Sequence, residues 1–299
     1  MDSVEIIEVS PRDGIQNEPK ILDLDTKLAL IERAEAAGAA RIEVTSFVNP
    51  KRVPQMADAD ALAARLTKGR AKHIGLALNQ RGFERAVAAG LDEVNFVIVA
   101  SDTFNRRNQG VETAQSIAAW GEIAAAARGQ VAAGVTIGAS FGCPFEGEVP
   151  LTRLLHVVEA AMAHRPHELA LADTIGVATP RDIAERVGAV RVAFPDTPIR
   201  LHLHNTRNTG IANAWAGVMA GATALDASFG GVGGCPFAPK ATGNIATEDL
   251  VYMLERSGVA TGMDLSACIE AAQWLEAQLE HTVPGMVMKA GGFPMPQAA

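Results

Sequence analysis

Ile199-Arg200-Leu201-His202-Leu203-His204-Asn205 is followed by an Ala-rich run, 207–220, that stops at Gly221, and then by Ala224-Leu225-Asp226-Ala227-Ser228. The first run alternates apolar and polar residues with the period of two expected of a strand. The second has the length of a helix and a glycine just past its end. The third is short and apolar enough to be another strand. Strand, helix, strand is the unit from which parallel sheets are built. Outward from this unit the pattern repeats. Strands are predicted over 4–9, 41–45, 73–78, 93–99, 131–140, 168–172, 199–203 and 224–228. Helices are predicted over 25–37, stopping at Gly38, over 80–89, stopping at Gly90, and over 247–256, before Gly258. Thr179-Pro180 reads as a cap with proline at the first helical position.

Eight such units, recurring roughly every 30–40 residues, predict an α/β fold, a (β/α)8 TIM barrel. A doubly wound sheet shares the alternation, but no G-x-G-x-x-G follows the first strand. The expectation is one catalytic barrel domain over 1–299, with 258–299 as a C-terminal helical extension whose stretch 266–278 packs across one end. The length agrees, since such barrels take about 250 residues.

Charge and composition narrow the function. With 26 Lys and Arg against 34 Asp and Glu, the net charge is −8, and 48% of residues are hydrophobic. Nothing concentrates positive charge, so neither a nucleic acid nor a membrane surface is an expected partner. Three cysteines without CxxC spacing make no disulfide scaffold. The N-terminus enters a strand-like run directly, and no apolar run would span a bilayer. The expected setting is therefore the cytoplasm, and a homo-oligomer remains open.

Barrel active sites lie at the C-terminal ends of the strands, and there the chain places its polar residues. Ser10-Pro11-Arg12-Asp13-Gly14 follows the first strand. Alone, this would be an ordinary salt-bridged turn. His202 and His204 share one face of the seventh strand, and two adjacent neutral imidazoles make a good cation pair. The eighth strand leads into Gly230-Gly231-Val232-Gly233-Gly234-Cys235-Pro236, with Asn244 just beyond. That loop can approach a ligand closely and carries a single thiol. An ordinary flexible loop with a packed thiol is the plainer reading. Glu43 and Asp173 are acids at the ends of the second and sixth strands, costly to bury without partners. Arg12 is one such partner. Asp13, His202, His204 and Asn244 form an oxygen and nitrogen set suited to Mg2+ or Mn2+, though these ligand types leave Zn2+ open. A cation beside an arginine and a thiol points to carbonyl and enolate chemistry.

Taken with Glu43–Val48, residues 50–58, Asp173–Pro180, Gly231–Ala238 and 241–251, the stretch 10–18 resembles the 3-hydroxy-3-methylglutaryl-CoA lyases, a branch of the TIM-barrel metallolyases. The match runs along nearly the whole chain, and the Gly-Gly-Cys-Pro loop is its most specific part. The resemblance implies an acyl-CoA substrate and retro-Claisen cleavage to acetyl-CoA and a keto acid, as in leucine degradation. It implies a divalent metal on Asp13, His202, His204 and Asn244. It makes Arg12, Cys235, Glu43 and Asp173 catalytic, and places substrate against Arg12, Gln16, Ser46 and Asn108.

Two departures bear on the substrate. The family usually has His-x-His-Asp-Thr-Tyr-Gly, where this chain has His204-Asn205-Thr206-Arg207-Asn208. Ala170 stands where many members carry a serine. Hydroxymethylglutaryl-CoA ranks first, and a related branched 3-hydroxyacyl-CoA such as citramalyl-CoA second. A Claisen-type synthase on the same barrel ranks lower, because 299 residues leave little room for a regulatory domain. A barrel used as a binding module would make the four metal-type residues incidental.

Overall fold

In the computed structural model, which describes residues 2–234 and 243–294, eight strands close into a barrel in chain order. They are β1 (Glu5–Glu8), β2 (Arg41–Ser46), β3 (Lys72–Ala77), β4 (Glu93–Val99), β5 (Ala132–Gly138), β6 (Leu169–Asp173), β7 (Ile199–Leu203) and β8 (Ala224–Ala227). Every neighbouring pair is parallel, and β8 returns to β1. This is the (β/α)8 fold, and each strand lies at the place the alternation predicts.

The helices pack their apolar faces on the outside of the barrel, which gives the main core. A second, smaller apolar cluster of Ile7, Val9, Ile74 and Ala224 is separate from it. Register shows what else shares the interior. Ala172, His202 and Asp226 lie side by side, as do Ala170, Arg200 and Ala224 one pleat lower.

The inward faces carry charge as well as apolar residues. Arg41 meets Glu5 at 3.0 Å, Glu93 at 2.6 Å and Glu168 at 2.8 Å. Arg200 lies 3.5 Å from Glu168 and 2.8 Å from Asp226. Buried charges persist only when paired, and here the pairing forms a column leading to His202.

One helix differs from the sequence expectation. After β7 it spans Gly210–Met219, not 207–220. Asn205 Oδ1 accepts the Gly210 N–H at 2.9 Å, and Asn208 sits at φ 56°. The local asparagine bond holds 205–208 as a turn and delays the helix. The C-terminal helix Leu265–Leu279 packs on helices Leu24–Ala36 and Thr247–Arg256 and on the Phe229–Gly231 turn. None of the described helices is long and apolar enough to cross a membrane.

Candidate active site

The chain leaves β1 through one wide turn, Ser10–Gly14, closed by Gly14 N–H to Val9 C=O at 3.1 Å. Five-residue closure of this kind is uncommon and recurs at functional sites. A Cβ on Gly14 would lie 2.6 Å from Ser228 Oγ, so glycine lets the turn press against the end of β8. The turn presents Arg12 and Asp13 to the barrel mouth.

Arg12 is buried between two carboxylates. Its Nε donates to Glu43 Oε2 at 2.8 Å and its Nη1 to Asp13 Oδ1 at 2.6 Å, while Nη2 also contacts Glu43. Glu43 sits where the β2–β3 register slips, a bulge that re-aims side chains. Burial opposes the Arg12 charge, but Glu43 and Asp13 outweigh it and raise its pKa. Arg12 is thus a fixed, permanent cation.

Asp13, His202 and His204 bring one ligand atom each within 4.8 Å of one another. The two Nε2 atoms are 3.2 Å apart, and Asp13 Oδ2 lies 3.8 Å from His202 Nε2. Asn244 Nδ2 donates to Asp13 Oδ2 at 2.9 Å. Its Oδ1 is buried without a hydrogen-bond partner among the described residues. His202 Nδ1 meets Asp226 Oδ2 at 2.9 Å. A carboxylate there keeps the proton on Nδ1 and turns the Nε2 lone pair toward His204. Two facing imidazole nitrogens, a carboxylate and an unpartnered amide oxygen form a donor set that fits a divalent cation.

Burial would lower the His202 pKa, but the Asp226 hydrogen bond and the Asp13 charge raise it, a tendency that a bound cation would oppose. Burial and the neighbouring His202 push His204 down to about 4, which leaves its imidazole neutral. Burial would raise Asp13, but Arg12, His202 and His204 hold its carboxyl well below the usual range. Burial would also raise Asp226, and Arg200 and His202 keep it ionised.

The other residues singled out in the sequence fall around this centre. Asp173 closes β6, and its two oxygens accept the N–H groups of Val177 and Ala178 at 3.0 Å each. Burial nevertheless raises its pKa. Ser46 ends β2 with a buried hydroxyl that has no partner among the described residues. Gln16 lies in the short turn after Asp13, and Asn108 on helix Asp102–Gln109 after β4. Among the described residues, no hydrogen bond or ion pair joins these three to the Arg12 and histidine network. Cys235 lies outside the described residues. Cys143 is buried in the turn after β5, with Sγ 3.0 Å from Ser101 Oγ and accepting the N–H groups of Phe145 and Glu146. Cys268 is buried, and burial pushes its thiol far up.

Sequence reasoning missed Asp226 and Arg200. The available signal was an acid inside a short apolar strand, the one polar residue of β8. Its meaning depends on the register that sets it beside His202.

Fold and site together define a (β/α)8 barrel with a candidate cation-binding centre at its mouth. Residues 3–275 match the HMGL-like family model. The chain is 48% identical to the (R)-citramalyl-CoA lyase of Chloroflexus aurantiacus, over 97% of this chain and 96% of that one. It is 37% identical to the hydroxymethylglutaryl-CoA lyase of Bacillus subtilis, over 94% and 95%. An HMG-CoA lyase from Acinetobacter baumannii, solved with coenzyme A and 3-methylmalate, superposes with a TM-score of 0.95 at 39% identity, covering 100% of this chain and 98% of that one. The chain belongs to the HMGL-like family and is a carbon–carbon lyase.

Proposed function

We propose that the chain cleaves a branched 3-hydroxyacyl-CoA by a retro-Claisen reaction, with citramalyl-CoA as the preferred substrate. The observation that carries the reaction class is the convergence of Asp13, His202, His204 and Asn244 with buried Arg12 at one point of the barrel mouth. Those four residues would hold Mg2+ or Mn2+. A divalent cation supplies positive charge that makes a nearby hydroxyl easier to deprotonate.

The residues of the chain divide the remaining work. The substrate hydroxyl gives up its proton, its oxygen becomes the keto oxygen of pyruvate, and the bond to the thioester's α-carbon breaks. The electron pair of that bond moves into the acetyl-CoA enolate. Arg12, fixed by Glu43 and Asp13, is placed to meet the charge that develops on the enolate oxygen. Asp173, whose pKa burial raises, is suited to exchange the hydroxyl proton. Cys235, on the glycine-rich stretch, is assigned to return a proton to the enolate carbon. Gln16, Ser46 and Asn108 are assigned to substrate binding.

Identity supports citramalyl-CoA over hydroxymethylglutaryl-CoA, at 48% against 37%. Arg207 adds a physical reason. Its Nη1 donates to the carbonyls of Ile175 and Gly176 at 3.1 and 2.8 Å, beside Asp173. This adds a cation at the rim of the mouth. Ala170 removes a hydroxyl from the interior face. Both changes alter how a free carboxylate would be held, and the two substrates differ by one methylene in where it lies. Hydroxymethylglutaryl-CoA is the second reading, supported by the 39% identical solved relative.

Side-by-side kcat/KM values decide between them. Pyruvate release from citramalyl-CoA is expected to exceed acetoacetate release from hydroxymethylglutaryl-CoA by about tenfold or more, the scale of one methylene in a fitted pocket. A reversed ratio would return hydroxymethylglutaryl-CoA to first place.

A further inference from the structure

Glu8 ends β1 fully buried, and sequence reasoning gave it no role. Its Oε1 accepts the N–H groups of Ser10 at 2.8 Å and Phe229 at 3.2 Å, and its Oε2 accepts the Thr247 hydroxyl at 2.7 Å. These donors belong to three segments, one near the N-terminus and two that flank the glycine-rich stretch after β8. Ser10 opens the turn that carries Arg12 and Asp13. Phe229 opens the turn that leads into Gly231–Gly234. Thr247 starts a helix three residues beyond Asn244.

We propose that Glu8 is a positioning residue that fixes these three segments against one another and so sets Asp13 opposite Asn244. The 2.9 Å bond between Asn244 and Asp13 spans two of the segments Glu8 ties. Three converging donors need acceptor oxygens at a buried point, and a carboxyl supplies two. Each donor would otherwise be buried and unsatisfied.

The hydrogen bonds, more than the charge, define the role. Burial raises the Glu8 pKa to about 7, and no cation is among its main influences. The acids nearby are Glu248, raised to about 8, and Cys268. Glu248 Oε2 accepts the Gly230 N–H at 3.1 Å, a second grip on the same turn.

Glu8→Met keeps the volume and removes the acceptors, whereas Glu8→Gln keeps one carbonyl oxygen for Ser10 and Phe229. Amide hydrogen exchange at 10–14 and 229–231 reads the clamp directly. Mn2+ affinity of the metal-stripped protein, measured by calorimetry, reads its consequence and rests on the metal reading above. In Glu8→Met, exchange in both segments should quicken about tenfold. Mn2+ affinity should fall about tenfold as well, as when support for a ligand is lost. Glu8→Gln should hold both within about threefold of wild type, since its carbonyl keeps the Ser10 and Phe229 bonds and its amide can donate to the Thr247 hydroxyl oxygen. If Glu8→Met does not fold, Thr247→Val, which removes one bond, should show the same changes at smaller size. Folded Glu8→Met, or Thr247→Val in its place, with wild-type exchange in these segments would overturn the proposal. Wild-type protein that binds no Mn2+ would instead refute the metal reading, and the exchange result would still decide the clamp.

Discussion

Replacing Asp226 by asparagine tests whether the ionic column serves the histidine pair. Asp226 bonds His202 Nδ1 at 2.9 Å and pairs with Arg200 at 2.8 Å, almost wholly out of solvent. Asparagine keeps the shape but removes the charge that fixes the His202 tautomer. Loss of such an outer partner typically lowers metal affinity about 10–100-fold. The same change strands part of the Arg200 charge. Removing one partner of a buried pair costs up to about 3–5 kcal/mol, and less here because Glu168 remains 3.5 Å from Arg200. Stability and affinity can therefore be separated. In Asp226→Asn with Arg200→Met, the stranded charge is gone and thermal stability should recover, while metal affinity should not. Competition with a fluorescent chelator on stripped protein gives the affinity, and thermal melts give the stability. An Asp226→Asn protein with affinity within about twofold of wild type would refute the orienting role.

Arg12→Gln should lower kcat about 10²–10³-fold with little change in KM, because the charge it meets develops only as the bond breaks; a raised KM with near-normal kcat would place Arg12 in ground-state binding. Cys235→Ser keeps the size but raises the group's pKa, so the rate should fall sharply with metal affinity unchanged; retention of most of the rate would move proton return to another group. Glu248, raised by burial to about 8, keeps its proton in the folded chain while the unfolded chain loses it near the ordinary 4.5. The unfolded state thus binds fewer protons across that window, and stability should fall as pH rises from about 4.5 to about 8, with Glu8 acting in the same direction to about 7. Glu248→Gln, which mimics the protonated group, should melt like wild type near pH 4.5 and lose less stability as pH rises from there to about 8, and identical melting curves across that range would contradict the assignment.

All eight strands were legible because each is short, apolar and bounded by turn residues. Asp13, His202, His204 and Asn244 were singled out because they lie at strand ends or on the segments that follow them, where a barrel places its chemistry. What stayed hidden depends on relations between strands. Asp226 gains meaning only from its register beside His202, and Glu8 only from donors more than two hundred residues away. The late start of the Gly210–Met219 helix came from one side-chain bond of Asn205 that competes with helical propensity. The family resemblance makes Asp173 catalytic, whereas its oxygens also organise the turn at Val177 and Ala178.

We infer a cation-dependent retro-Claisen cleavage at this mouth. Product analysis of one incubation tests it most directly, with citramalyl-CoA and protein that is either chelator-stripped or resupplied with Mg2+. Pyruvate and acetyl-CoA are expected in equal amounts from the resupplied protein and neither from the stripped one. Full turnover by verified metal-free protein, or free coenzyme A and citramalate in place of those products, would contradict it.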